Sequence, residues 1–253
     1  MIKTLYKKIL SEKNRIILRE QLLRLLSPLY YGNNFYCNCC NKKFRKFLQK
    51  GNITRLNAQC PFCSSIERTR VLEFYIEKEL NIYNSENSKI LHFAPEFALF
   101  QKLCTIKNVT YVDADINAAY ARHVIDVTKI PYPDNYFDYV ICSHVLGHVP
   151  DEHLAIAEMH RVIKPDGAGL ILTLLSNNDT TFEDEAVKTP LDKLKHYGER
   201  DLCRLHGKDF AKRLQHGGFT VEEIDYRLSF SAEMQHKYSL GNGEREIIFK
   251  CTK

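Results

Sequence analysis

Cys37 and Cys40 form one C-x2-C pair and Cys60 and Cys63 a second, with nineteen residues between the pairs. A C-x2-C knuckle lets two thiolates reach one ion from a single tight turn, and two knuckles at this separation match a four-cysteine zinc ribbon. Four thiolates close the coordination sphere. The expected Zn2+ is therefore structural: it staples two short hairpins that lack a core of their own and leaves no open position for activating water. Pro61, inside Cys-Pro-Phe-Cys, suits the knuckle turn. Cys39 is surplus to the set. Cys104, Cys142, Cys203 and Cys251 are scattered, as core or surface thiols are. The alternative to zinc is a group of unliganded buried thiols.

A second series is acidic and follows apolar runs. Lys-Ile-Leu-His-Phe-Ala-Pro-Glu (89–96) reads as a strand closed by a turn before a helix. Tyr-Val-Asp-Ala-Asp (111–115) reads as a strand ending in acid, and Ile125-Asp126-Val127 as the end of a third, shorter one. A carboxylate at the carboxyl edge of a sheet can accept two hydrogen bonds from ribose hydroxyls. One strand further on, Asp126 could accept from an adenine amino group. A single acid at a strand end is often only a turn or helix cap, so the ordered series carries more weight than any member.

His144, His148, His196, Tyr197, Arg200, Arg204 and His206 are the polar groups that could ring a substrate mouth. His144 and His148 are the candidates for the substrate side and Arg204 for an anion contact. A histidine is more often a satisfied structural residue, and no catalytic base can be named without geometry.

These groups need a scaffold that brings strand ends together. Apolar, β-rich runs at 90–94, 109–114, 137–143, 169–175, 219–226 and 246–251 alternate with helical patterns, notably 151–163 and 208–216. Such alternation predicts an α/β fold: a doubly wound, mainly parallel, Rossmann-like sheet of about seven strands. Ahead of it, residues 2–26 have Leu5, Ile9, Ile16, Leu22, Leu23 and Leu26 at roughly helical spacing among Lys and Arg, with Ser27-Pro28 as a stop. Residues 66–82 read as a linking helix and the polar stretch 84–88 as a boundary. The expected organisation is a basic amphipathic helix (1–34), the zinc ribbon with its linking helix (35–83) and the α/β domain (84–253). The polar segment 176–205 is expected to be a substrate loop or lid.

Composition narrows the classes. Hydrophobic residues are 44% and charged residues 26% of 253, ordinary for a globular chain. No apolar run approaches a membrane span, and the charged N-terminus is unlike a signal peptide. Clustered cysteines without such a signal suit a reducing compartment, so the expected location is cytoplasmic. Residues 1–80 hold 16 Lys/Arg against 6 Asp/Glu and the remainder 20 against 25, within totals of 36 and 31. That asymmetry fits solvated helix faces, an anionic partner such as RNA, or peripheral contact of the first helix with an anionic membrane.

With Asp126-Val-Thr, Ile130-Pro-Tyr132, Asn135-Tyr-Phe-Asp-Tyr-Val-Ile141, His144-Val-Leu-Gly-His-Val149 and Glu158-Met-His-Arg-Val-Ile-Lys-Pro-Asp-Gly167, the chain resembles the class I S-adenosylmethionine-dependent methyltransferases. Residues 36–70, Leu91–Glu96, Thr181–Asp184 and Tyr197–Phe219 resemble a bacterial subgroup with an N-terminal zinc ribbon. The resemblance implies that Asp115 binds ribose and that Asp126 and Val127 flank adenine. It also implies that His92, Phe93, Ala94, Pro95 and Glu96 pass the methionine part, and that Ser143 and His144 line the far side of the pocket.

Three departures stand out. The family's glycine-rich turn reads Ala94-Pro95-Glu96, Leu-Glu-His reads Leu146-Gly147-His148, and Asp-His-Val-Arg reads Asp201-Leu202-Cys203-Arg204. The expected function is methyl transfer from S-adenosylmethionine to a small-molecule or glycan-type acceptor. The alternatives are an RNA methyltransferase gripping phosphates with the basic ribbon, and an inactive fold that binds cofactor or a partner protein.

Overall fold

The computed structural model describes residues 10–253. Of the expected first helix, Leu5 and Ile9 lie outside the described residues. Helix α1 runs Glu12–Leu26, capped by Ser11, whose hydroxyl accepts from the Asn14 amide, and a 3-10 turn at Ser27–Tyr30 ends it. Its docking is the reverse of simple amphipathic packing. The one buried residue is Glu20, held by Arg19 and Ser64, while Leu22, Leu25 and Leu26 are exposed. Arg24 reaches Gln101 and lies over the rings of Phe62 and Phe97.

Two antiparallel hairpins follow, β1 (Tyr31–Cys37) with β2 (Lys42–Phe44) and β3 (Leu48–Lys50) with β4 (Arg55–Gln59). Phe35, Phe44 and Phe47 and the knuckle cysteines form their small core. The ribbon thus starts at residue 31 rather than 35. Helix α2 (Glu67–Lys78) leaves it, and its Val71, Leu72 and Ile76 are fully buried against Ile90, Ile141 and Leu170 of the main sheet. By packing, this linking helix belongs to the α/β domain. Burying each such side chain is worth about 1.5–3 kcal/mol.

The main sheet then forms from β5 (Lys89–Phe93), β6 (Thr110–Asp115), β7 (His123–Val124), β8 (Phe137–Ser143), β9 (Ile163–Leu172), β10 (Thr220–Ile224) and β11 (Ile248–Thr252). Its order is β10-β11-β9-β8-β5-β6-β7; β5 to β9 pair in parallel and β11 is antiparallel to both neighbours. Buried on both faces, β5 and β8 read as continuous apolar runs. Helix α3 (Phe97–Leu103) and α2 cover one face; α4 (Glu152–Val162) and α6 (Phe210–His216) cover the other. Beyond β5 the chain crosses to β6 and beyond β8 it crosses to β9, in opposite directions along the sheet. The crevice at the carboxyl ends of β5 and β8 is the switch point where ligands of such sheets bind.

The 176–205 segment is less open than expected of a loop. It contains α5 (Pro190–Tyr197), capped by Thr189, and bridges pair Leu175 with His206 and Phe182 with Leu205. Helix α7 (Ala232–Tyr238) packs on β1. Among the described residues, no helix is long and apolar enough to cross a membrane.

Candidate functional site

At the switch point lies a cavity of about 570 Å³, lined among others by Phe93, Ala94, Asp115, Asp126, Val127 and His144. That size suits a nucleoside-sized ligand. Phe93 is the last residue of β5. Ala94 makes the turn at φ +46°, its amide donating to the Ala114 carbonyl at 2.8 Å. The backbone therefore takes the left-handed course a glycine would favour, with a methyl group in its place.

Asp115 ends β6. One of its oxygens accepts from the Asn117 amide at 2.8 Å, and the other has no partner among the described residues. Burial pushes its carboxyl up, against that hydrogen bond. Asp126 sits two residues beyond β7 rather than at the strand's end. One oxygen accepts from the Thr128 amide and hydroxyl at 2.9 and 2.8 Å. Ile125 and Val127 are buried on either side of it and also line the cavity. Two carboxylates, one at the end of β6 and one just beyond β7, thus share one cavity, each with an oxygen that has no partner among the described residues.

Four residues expected at the cofactor do not line this cavity: His92, Pro95, Glu96 and Ser143. His92 is buried beneath the turn. Its Nδ1 meets the Tyr111 hydroxyl at 2.9 Å and its Nε2 meets Glu96 Oε2 at 3.1 Å. Burial alone would raise the Glu96 carboxyl, but the bond and charge of His92 and the nearby Arg68 outweigh it and hold it below the usual range. Ser143 accepts from Arg68 Nε at 3.2 Å. These side chains brace the turn from behind because the strand ends bring them under it.

His144 and His148 are shared with a second, polar chamber of about 130 Å³. His144 follows β8 at φ +56°, with its Nε2 3.1 Å from the Arg245 carbonyl. Burial and the charge of Arg68 hold this imidazole well below its usual value. It is therefore neutral, donating from Nε2 because a carbonyl only accepts. His148 stands between two carboxylates, Nδ1 at 3.5 Å from Asp201 and Nε2 at 4.0 Å from Glu199. One ligand atom from each of His148, Glu199 and Asp201 lies within 4.8 Å of the others, so the three groups are close enough to share a cation.

Gly147 explains how those acids arrive. A Cβ there would lie 2.8 Å from Leu202 Cδ2, and the Gly147 carbonyl accepts from the Cys203 amide. The missing Glu side chain makes room for segment 199–206, which brings Glu199 and Asp201 against His148.

Arg204 is not an anion contact. It is 2% exposed, and Nε and both terminal nitrogens bond Glu183 and the carbonyls of Leu146, Val149 and Pro150. These five contacts use every donor a guanidinium has. Glu152, also buried, clamps the same segment, accepting from His206 at 2.6 Å and from Arg213 at 2.7 Å. His196 lines an outer cleft instead. Sequence reasoning missed Glu152, Arg68 and Arg245, which no spacing or motif singles out.

Residues 94–171 match the family model described as a methyltransferase domain. That stretch begins at the Ala94 turn and includes both aspartates of the cavity. The ubiquinone/menaquinone biosynthesis C-methyltransferase UbiE of Paraburkholderia xenovorans (strain LB400) is 49% identical over 99 residues, covering 39% of this chain and 37% of that protein. UbiE of Francisella tularensis subsp. tularensis (strain SCHU S4) is 36% identical over 91 residues, 36% of this chain and 31% of that protein. Over residues 94–171 the chain is similar to methyltransferase domains. It matches well under half the length of these relatives. The [4+2]-cyclase SpnF is similar in structure, with a TM-score of 0.52, 13% identity and coverage of 92% of this chain and 95% of that one. At that identity the likeness is one of fold.

Ahead of the stretch that matches the family model, the four knuckle sulfurs converge. Cys37 and Cys63 Sγ are 3.5 Å apart, Cys40 and Cys60 3.8 Å, and all four lie within 4.8 Å of one another. Tetrahedral zinc with Zn–S of ~2.3 Å requires sulfurs ~3.8 Å apart, so the donor set fits that ion. Cys39 points elsewhere, its sulfur 3.9 Å from the Thr69 carbonyl.

Proposed function

We propose that the protein transfers a methyl group from S-adenosylmethionine to a small-molecule acceptor, with the zinc ribbon walling the acceptor's approach. The observation that carries this reading is the pair Asp115 and Asp126 opening on one cavity with Ile125 and Val127. Asp115 would accept from the ribose hydroxyls, Asp126 from the adenine amino group, and the two apolar side chains would sandwich the base. The cofactor, when bound, supplies an electrophilic methyl group for in-line displacement. The chain's own residues then hold the acceptor in line and exclude water. His148, on the wall between cavity and chamber, is the group placed to take the acceptor's proton on a ring nitrogen, with Asp201 positioning the ring. Cys37, Cys40, Cys60 and Cys63 would hold a structural Zn2+.

The acceptor's route is a line of three spaces. The chamber shares Leu174, Glu199, Leu205 and Arg245 with an outer cleft of about 350 Å³, whose other wall is the β3–β4 turn of the ribbon at Gly51, Asn52 and Ile53. A route this narrow suits a small molecule or a glycan end better than an RNA duplex. Two cations at the ribbon are also engaged within the protein: Arg55 of β4 with Glu67, and Arg70 of α2 with four backbone carbonyls.

Calorimetric titration with S-adenosylhomocysteine tests the assignment. Asp115→Ala removes two charge-assisted hydrogen bonds, together about 3 kcal/mol, and weakens binding roughly a hundredfold. Equal affinity in parent and variant would refute the ribose role.

A further inference from the structure

The inner chamber holds more cationic hydrogen-bonding capacity than the protein uses. Arg245 lines both the chamber and the outer cleft. Its guanidinium has no hydrogen-bond partner among the described residues, although it is half-buried. Arg68, on the chamber's other side, commits only Nε, to Ser143 at 3.2 Å and near Glu96 at 3.5 Å. Its terminal nitrogens have no partner among the described residues. Arg204, the chamber's third arginine, is fully engaged.

The loop that carries Arg245 is tightly built. The Glu246 carboxylate, buried behind it, accepts from the Gly243 amide at 2.8 Å and the Arg245 amide at 3.3 Å. The Arg245 carbonyl takes the His144 hydrogen bond, and the neighbouring Glu244 carbonyl accepts from Leu175. Gly243 sits at φ +100°, where a Cβ would strike the Arg227 guanidinium. The loop is therefore fixed, and it presents Arg245 to the chamber.

The charges around Arg245 do not neutralise it. Arg55 is bound to Glu67 and Arg68 adds a like charge. Glu246 is turned to backbone amides, and Glu199 is 39% exposed at the chamber's rim beside His148. Burial first, then Arg55 and Arg68, hold the guanidinium below its ordinary value against the opposing charges of Glu199 and Glu246. A half-buried guanidinium with open donors beside a second arginine suits a planar or tetrahedral oxyanion, which it can grip through two parallel hydrogen bonds.

We propose that Arg245 and Arg68 form an oxyanion-binding site on the acceptor side of the cofactor cavity, so that the methyl acceptor is a small molecule bearing a phosphate or a carboxylate. The site would hold the acceptor's anionic group in the chamber while its nucleophile reaches past His144 and His148 toward the cofactor. The chamber, at about 130 Å³, has room for such a group and not for a nucleotide. The inference rests on the reading that the adjoining cavity holds the adenosyl cofactor.

The test uses the full chain, zinc-loaded and saturated with S-adenosylhomocysteine, titrated calorimetrically at constant ionic strength with inorganic phosphate in one arm and malonate in the other. The expected result is saturable binding of at least one of them, one per chain, with the tighter arm naming the acceptor's anion. Arg245→Met weakens it more than tenfold and Arg245→Lys, which keeps charge but loses the fork, several-fold. S-adenosylhomocysteine affinity is the same in all three proteins. The proposal is overturned if neither anion binds saturably, if either arginine variant that retains the parent's melting profile binds as the parent does, or if the anions displace S-adenosylhomocysteine. The last result would assign the arginines to the cofactor's own carboxylate. Failure of S-adenosylhomocysteine to bind the parent protein would instead count against the cofactor reading, and is read separately in the first titration.

Discussion

Glu152→Gln isolates the clamp that holds segment 199–206 over the site. The substitution conserves volume, so the effect is electrostatic rather than one of packing. Glu152 accepts from His206 Nε2 and from Arg213, and lies 4.0 Å from Arg204. A glutamine keeps one acceptor and turns an amide donor toward groups that also donate. Removing one partner of a buried ion pair costs about 3–5 kcal/mol. Arg213 is 20% exposed and can turn toward water, and Arg204 retains Glu183. The lower end, about 3 kcal/mol, is therefore expected, or roughly 6–12 °C in Tm for a chain of this size.

The sign with pH follows from the carboxyl itself. Burial opposes ionisation of Glu152, but His206 and Arg213 outweigh it and hold the group below its usual value. The unfolded chain takes up that proton first. The stabilisation is thus present above about pH 4.3, the unfolded value, and is lost as pH falls through the lower folded value. Urea unfolding of parent and variant at pH 7 and pH 4 reads both effects. A gap near 3 kcal/mol at pH 7 that narrows at pH 4 is expected. A gap under 1 kcal/mol at pH 7 with an unchanged m-value would refute the clamp.

Ala94→Gly should stabilise the protein. Relief of left-handed strain at φ +46° is worth about 1–2 kcal/mol, offset by about 0.4–1 kcal/mol of added unfolded-state entropy. Thermal melts should show a rise of a few degrees, and a fall of similar size would contradict the strain. Metal analysis of purified protein should give one zinc per chain, released when a mercurial titrates the thiols. Because structural zinc contributes about 10–16 kcal/mol in small zinc-finger peptides, the released protein should lose the β1–β4 core first. Well under one zinc per chain would remove the ribbon assignment.

The centre of the main sheet was legible because strands such as β5 and β8 are largely buried and so read as apolar runs: 137–143 matches β8 residue for residue. The same logic failed at β9. Lys164-Pro165-Asp166-Gly167 has the composition of a turn, yet it continues the strand through an irregular register with β8. Pairing overrides local composition there. The two-residue β7 is too short to leave a pattern, which is why Asp126 was placed at a strand end.

The grouping of candidate residues was legible where chemistry and spacing coincide: the four cysteine sulfurs converge, and Asp115, Asp126 and Val127 line one cavity. It was not legible where a side chain's availability depends on what its neighbours leave unpaired. Arg204 and Arg245 are indistinguishable as letters. One is saturated by Glu183 and three carbonyls; the other has no such partner among the described residues, and only the packing tells them apart. The leucines of α1 misled in a related way: their spacing is helical, but the helix docks through Glu20 and Arg24.

The central claim is that the crevice beyond β5, β6 and β8 binds an adenosyl cofactor. A crystal structure with S-adenosylhomocysteine tests it most directly. The account predicts the ribose hydroxyls within hydrogen-bond reach of Asp115, the adenine between Ile125 and Val127 with its amino group toward Asp126, and the sulfur facing His144 and His148. Density for the ligand elsewhere, or an empty crevice at saturating concentration, would contradict it.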